Sequence, residues 1–305
     1  MQFKTPNIED KIWVDEIIQK TENEQLLLNC DVPFATNFLW KKMYNIKIGR
    51  YKDFIVKSFG NEEDTINYSY PLGVGDEEEV IKEMILFAFK NDKKVLFSGV
   101  SKEQAKVVNQ VYGGTLKFEE NRDYAEYIYL SDDLANLAGR KYHSKRNHIS
   151  KFMKMYNYSF EQINKDNAKD AIEVAQKWCN SNGLGDNNGL THEFCAIKNA
   201  FKYYDELQLV GGILRIDGQA VAMTVGEKVS KDTFVVHFEK AVDGFNGLYT
   251  VVNQLFAKTL TQYKYINREE DLGIEGLRKA KLSYKPTILT QEFTSSLLRK
   301  QDGIL

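Results

Sequence analysis

Apolar positions along this chain switch repeatedly between helical and strand periods. Ile8, Ile12, Trp13 and Ile17 recur at three- and four-residue spacing, which predicts an opening amphipathic helix. A second helix is expected over 34–42. Strand-like runs follow over 44–50, 53–59 and 66–70, the last ended by Pro71-Leu72-Gly73. Asp76 and the glutamates behind it open a helix that turns Val80, Met84, Ile85 and Ala88 inward, with acids at its positive end. A short buried strand over 95–98, a helix over 102–112 stopped by Gly113-Gly114, and a strand over 124–130 complete the first half.

The second half repeats that order. Helices are expected over 167–179 and 192–204. Strands over 209–216 and 220–229 are joined by Asp217-Gly218, a two-residue hairpin signal, and a third strand covers 233–241. Gly247 opens a helix through residue 260; a strand over 263–268, a helix over 275–283 and a strand after Pro286 close the pattern. The fold class is therefore α/β (α+β). It predicts two lobes, each a mixed, mostly antiparallel sheet flanked by helices. The expected division is 1–138, a connecting helix over 139–156, and 157–305.

Composition narrows the class. Hydrophobic residues at 43% and charged residues at 28% are a globular balance over 305 residues. A net charge of −2 supplies no global field toward nucleic acid or anionic lipid, so such binding requires a local patch. No apolar run is long enough to span a bilayer and the amino terminus lacks a signal core, so a cytoplasmic location is expected. Three scattered cysteines, without a CxxC pair, predict reduced thiols and no metal site.

One local patch is present. The segment 140–155 carries Arg140, Lys141, Lys145, Arg146, Lys151 and Lys154 and no acid, with Tyr142, Ile149, Phe152, Met153 and Tyr156 on one helical face. A solvated linking helix has this pattern. So does a phosphate- or tRNA-binding element, for which Arg140, Lys141, Lys145 and Arg146 are the candidates.

Strict alternation over 233–241 places His237 and Glu239 side by side, the raw material of a general base; a hydrogen-bonded structural histidine has the same signature. Arg268, Glu269, Glu270 and Asp271 crowd the end of a strand, and Arg278 and Lys279 follow on the next helix. Acids before a helix and bases late in it complement the macrodipole, but that leaves four charges at a strand end unexplained. Glu269 and Glu270 join His237 and Glu239 as catalytic candidates. Arg268, Asp271, Arg278, Lys279, Tyr249 and Asn253 are the substrate-binding candidates. Asp243-Gly244-Phe245-Asn246-Gly247, ahead of the helix bearing Tyr249 and Asn253, offers free N–H groups to an anion.

The segments GRKYHSKRNHISKF, FVVHFEKA, GLYTVVNQLFA and INREEDLGIEGLRKAKLSYKP resemble a bacterial family of uncharacterised proteins grouped with the carboxy-terminal domain of phosphatidylglycerol lysyltransferases. The resemblance implies a tandem GNAT-type acyltransferase fold, and a reaction like that of Fem-type enzymes, which move an aminoacyl group from tRNA to an acceptor. Leu272 to Leu277 stands where the lysyltransferases carry a Leu-Gly-x-x-Pro-Leu-like turn, without the proline. The 243–247 loop does not match the Gln/Arg-x-x-Gly-x-Gly/Ala loop that holds coenzyme A in acetyl-transferring members. The expected function is thus aminoacyl or acyl transfer by direct attack of an amine or hydroxyl, on a small molecule or peptide, upon an activated donor. Aminoacyl-tRNA is preferred to acyl-CoA as donor, with tRNA as the partner and no resident cofactor. The alternative is a non-catalytic sensor of a charged metabolite or tRNA.

Overall fold

The computed structural model describes residues 1–21, 28–183 and 188–300. The chain forms two compact units. The first comprises Met1–Glu126, Glu270–Arg278 and the segment from Leu289 onward; the second comprises Tyr127–Glu269 and Lys279–Ile288.

In the first unit, α1 (Lys11–Lys20) and α2 (Phe34–Trp40) precede the strands β1 (Lys47–Tyr51), β2 (Phe54–Phe59), β3 (Thr65–Tyr68), β4 (Leu72–Gly73) and β5 (Lys94–Phe97). The sheet order is β1-β2-β3-β5 with β4 against β2; β3 and β5 are parallel and the other pairings antiparallel. The parallel crossover is α3 (Glu77–Lys90). The Asp76 side chain caps it by accepting from the Glu79 N–H, and it buries Val80, Ile81, Met84, Ile85 and Ala88. After β5 comes α4 (Lys102–Val111), opened by a reciprocal Ser101–Gln104 capping box, and then β6 (Phe118–Glu120).

The second unit opens with β7 (Tyr127–Leu130), α5 (Ser131–Asn136), α6 (His143–Met155), β8 (Tyr158–Gln162), α7 (Ala168–Ser181) and α8 (Asn188–Lys202). The hairpin β9 (Val210–Ile216) and β10 (Gln219–Lys228) turns at Asp217 and Gly218, both at positive φ. Then come β11 (Thr233–Ala241), α9 (Leu248–Lys258), β12 (Tyr265–Asn267) and β13 (Ile288–Leu289), while α10 (Glu275–Leu282) is divided between the units at Arg278 and β14 (Phe293–Ser295) belongs to the first unit. The sheet runs β13-β7-β12-β11-β10-β9-β8, with β12 parallel to β11. β14 pairs with β6 in the first unit. Each unit thus has an antiparallel meander, a crossover helix and a parallel strand, as the sequence predicts.

The boundary differs from the expected one at residue 138. β7, read as the last strand of the first lobe, hydrogen-bonds along β12 and enters the second sheet. The basic segment is also no separate connector: α6 buries Ile149 and Phe152 in the core of the second unit. Met153 on the same helix is 39% exposed, so the apolar stripe is narrower than its sequence suggests.

Candidate active site

In the second unit, the parallel pairing of β11 with β12 runs only from Thr233–Tyr265 to Val235–Asn267. Beyond it the strands are joined through side chains. The register against β10 slips at this place: Val236 lies opposite Gly226 and Phe238 opposite Val225, which leaves His237 as the extra residue of a β-bulge. A bulge shifts the alternation by one, so Glu239 falls opposite Thr224, on the face that carries Val236. The sequence expectation that His237 and Glu239 share a face is corrected by this slip.

His237 is fully enclosed, with side-chain exposure of 1%. Its Nε2 lies 2.9 Å from Glu227 Oε1 and its Nδ1 2.8 Å from Glu269 Oε1. Burial alone lowers the basicity of the ring. The hydrogen bonds and charges of the two carboxylates outweigh it, and the pKa is pushed up to about 10. The raised basicity favours the imidazolium, which donates from both nitrogens. It serves as a clamp between β10 and the turn after β12, with neither nitrogen free to accept a proton. Glu269 itself takes a left-handed backbone (φ 57°), held by an Asn267 Oδ1 bond to its N–H at 2.8 Å.

Glu239 holds a second ion pair. Arg268 Nη2 lies 2.9 Å from Glu239 Oε1, and Asn253 Nδ2 lies 3.4 Å from Oε2. Asn253, from α9, is 4% exposed, and its Oδ1 has no hydrogen-bond partner among the described residues. The Arg268 guanidinium sits 5.3 Å from the ring centroid of Tyr284, and Lys145 Nζ, from α6, sits 3.8 Å from the same ring. Burial, with the like charge of Arg268 second, brings Lys145 down to about 8. Lys281 donates to the backbone carbonyls of Arg268 (2.6 Å) and Glu269 (3.2 Å), fixing the strand end from behind. Glu239, Arg268, Asn253, Tyr284 and Lys145 form one polar cluster.

The other candidates fall elsewhere. Asp271, wholly buried in the first unit, accepts from Arg278 through Nε (2.9 Å) and Nη2 (2.7 Å) and from Arg122 at 3.3 Å; Arg278 also binds Asp123. This is a structural clamp on the loop before α10. Glu270, also in the first unit, accepts from the Cys30 thiol at 3.5 Å, while Glu126 accepts from the Cys30 N–H. Cys30, Glu126 and Glu270 bring ligand atoms within 4.8 Å of one another. Three donors, already engaged in hydrogen bonds with each other, are one short of a closed structural zinc site. Lys279 and Tyr249 are exposed.

Just ahead of α6, Lys141 pairs with Asp133 at 2.9 Å. Arg146 donates to the carbonyls of Leu137 and Gly139, and Arg140 is exposed. An open groove of about 380 Å³ runs beside the helix, lined by Arg146, Met153, Lys154, Gln254 and Lys258 among others, with no acid in its lining. The sequence pattern does not mark Glu227 or Tyr284 as parts of the site, or Lys145 as a titrating group in it. The one signal at Glu227 is an acid continuing the buried run Val221, Met223, Val225 of β10.

Residues 26–294 match the family described as phosphatidylglycerol lysyltransferase, C-terminal. The chain belongs to that family. A crystal structure of a conserved protein of unknown function from Bacteroides thetaiotaomicron is 35% identical, covers 98% of this chain and 100% of its own, and superposes with a TM-score of 0.90. The C-terminal domain of a putative lysylphosphatidylglycerol synthetase from Agrobacterium fabrum is 12% identical with a TM-score of 0.70. The L-PGS structure from Bacillus licheniformis is 14% identical with a TM-score of 0.69; each of these two covers 98% of this chain and 94% of its own. No curated protein matches the sequence. The fold of this phosphatidylglycerol lysyltransferase C-terminal family member is also that of a tandem GNAT protein from the clavulanic acid pathway (TM-score 0.52) and of FemX (0.56). Among the described residues, no helix is long and apolar enough to cross a membrane.

Proposed function

We propose that the protein is an aminoacyl- or acyltransferase, with aminoacyl-tRNA as the favoured donor and an amine or hydroxyl as acceptor. The observation that carries this reading is the pairing of Lys145, held near neutral, with Arg268 across the ring of Tyr284. The acceptor nitrogen or oxygen attacks the ester carbonyl, its proton passes to the Lys145 amine, and the bond to the tRNA 3′-oxygen breaks. Lys145 then returns the proton to that oxygen. At pH near 8 about half of Lys145 is neutral, which suits a general base.

Arg268 spends one N–H on Glu239, and its remaining donors can hold the oxyanion of the tetrahedral intermediate. Asn253 Oδ1, a buried acceptor without a partner among the described residues, suits the ammonium of an aminoacyl group beside Glu239. The acid-free groove along α6 supplies phosphate contacts for the acceptor end of a tRNA. His237 keeps the strands in register and does not enter the chemistry.

The test is transfer of labelled amino acid from a full panel of aminoacyl-tRNAs to amine, peptide and glycerophospholipid acceptors. Lys145→Met should abolish transfer while leaving the melting temperature within a few degrees. Absence of transfer with every donor, alongside retained tRNA binding, would favour the sensor reading instead.

A further inference from the structure

The first unit has a site of its own, unrelated to the cluster above. A partly open cavity of about 70 Å³ lies between α1, α2 and the β1–β2 hairpin. A single water requires ~10–15 Å³ of such space, so this cavity has room for roughly five waters, or for a molecule of amino-acid size. Val14, Ile48 and Ile55 form apolar wall. Ordered water is poorly held on such a wall, where it finds no hydrogen bonds.

Polar residues also line it, Asn29, Ser69, Tyr70 and Gln104 among them, and three of its polar groups, Lys57, Asp31 and Asn37, have unused capacity. Lys57, only 8% exposed, reaches Asp31 Oδ2 at 2.8 Å. An ammonium has three donors, and the described structure commits one of them. Asp31 lies at the rim, its side chain 54% exposed. Asn37, 8% exposed on α2, gives both hydrogens of its amide nitrogen to the carbonyls of Asp31 and Pro33. Those bonds fix the amide orientation and leave Oδ1 buried without a partner among the described residues. A buried acceptor in that state costs on the order of 1–3 kcal/mol unless something donates to it.

We infer that this cavity binds a small zwitterionic amino acid with an aliphatic side chain. The ligand carboxylate takes the spare donors of Lys57. Its ammonium donates to Asn37 Oδ1 and to Asp31, and its side chain lies against Val14, Ile48 and Ile55. The Lys57–Asp31 pair need not break, and its zero net charge matches that of the zwitterion. This assignment does not depend on what the second unit transfers.

The experiment is calorimetry and thermal shift on the full chain with L-valine as probe. Valine methyl ester lacks the carboxylate, N-acetylvaline lacks the ammonium, and L-lysine places a second charge on the apolar wall. Valine is expected to bind saturably and raise the melting temperature. Each of the other three should bind at least tenfold more weakly. Lys57→Met keeps the volume, and the half-exposed Asp31 it leaves can be hydrated; it should lose valine binding tenfold or more. No saturable binding at millimolar valine would overturn the assignment. Equal binding of the ester or of the N-acetyl compound would do the same, and these ligand comparisons need no variant to fold.

Discussion

The ring of His237 and the carboxylate of Glu227 lie 2.9 Å apart across neighbouring strands, at the residue where the register of β10 and β11 slips. Glu269 closes on the opposite nitrogen, so the charged ring replaces backbone pairing where β12 leaves β11. The pKa, raised from 6.5 to about 10, fixes the sign of the pH effect. The stabilisation is complete below pH 6.5 and is lost as pH rises through 10. Nitrogen NMR of the ring at pH 8 should show both sites protonated. Melting temperature should fall from pH 7 to 10, and more gently in Glu227→Gln. A neutral tautomer at pH 7 would return His237 to the list of bases.

Lys145 gives the transfer reaction its own pH signature. With the amine at about 8, the rate should rise nearly tenfold per pH unit below 7 and level off above 8. Lys145→Arg keeps a cation over Tyr284 but cannot give up its proton near neutrality, so it should lose activity as fully as Lys145→Met. A Lys145→Arg enzyme with wild-type rate would assign the residue to charge alone.

Arg268 and Glu239 test stability against chemistry. Their side chains are 13% and 10% exposed, so leaving one without the other costs about 3 kcal/mol or more. Glu239→Gln should therefore lower the melting temperature by several degrees. Arg268→Lys keeps the charge and loses the planar fork, and should retain most stability while transfer falls a hundredfold or more. Loss of folding with normal activity per folded molecule would make the pair structural.

Much of this architecture was legible in the chain. The Asp217-Gly218 turn, the carboxylate-led α3 and the meanders follow from spacing and turn chemistry, because local signals dominate there. The assignment of β7 did not, since a strand's partner lies outside its own residues: Tyr265 to Asn267, far along the sequence, decide it. β8 carries little apolar signal, being an edge strand with no fully buried residue. The site was half legible. Alternation paired His237 with Glu239, whereas one bulged residue sends them to different partners. Sequence order made Arg268 through Asp271 a single cluster, although Asp271 accepts from Arg278 and Arg122 in the first unit.

Glu292, 8% exposed in the first unit, should make stability fall across the neutral range. Burial first, with repulsion from Asp31 adding to it against a lowering bond from Thr290, raises its carboxyl from 4.5 to about 7. An acid with a raised folded pKa favours the folded state while protonated. Stability is therefore lost as pH climbs from 4.5 through 7, by about 3 kcal/mol in all. Glu292→Gln removes the ionisation and should be the more stable protein at pH 8, with little difference at pH 5. Melting curves of both proteins at the two pH values decide it, and parallel pH profiles would show that Glu292 ionises freely in the fold.

The groove beside α6 makes the last prediction. Lys154 and Lys258 are exposed and Arg146 is held by two backbone carbonyls, so the first two can change without disturbing the helix. If they meet tRNA phosphates, the logarithm of affinity should fall linearly with the logarithm of salt. Each of Lys154→Gln and Lys258→Gln should reduce that slope by about 0.7–0.9. The effect should be the same for tRNAs of different sequence, since phosphate contacts carry no base information. Lys141→Gln serves as the internal control: its ammonium is already paired with Asp133, so its effect on the slope should be smaller. A slope unchanged by the groove lysines, with melting temperatures intact, would leave α6 a solvated face whose work is done by Ile149 and Phe152.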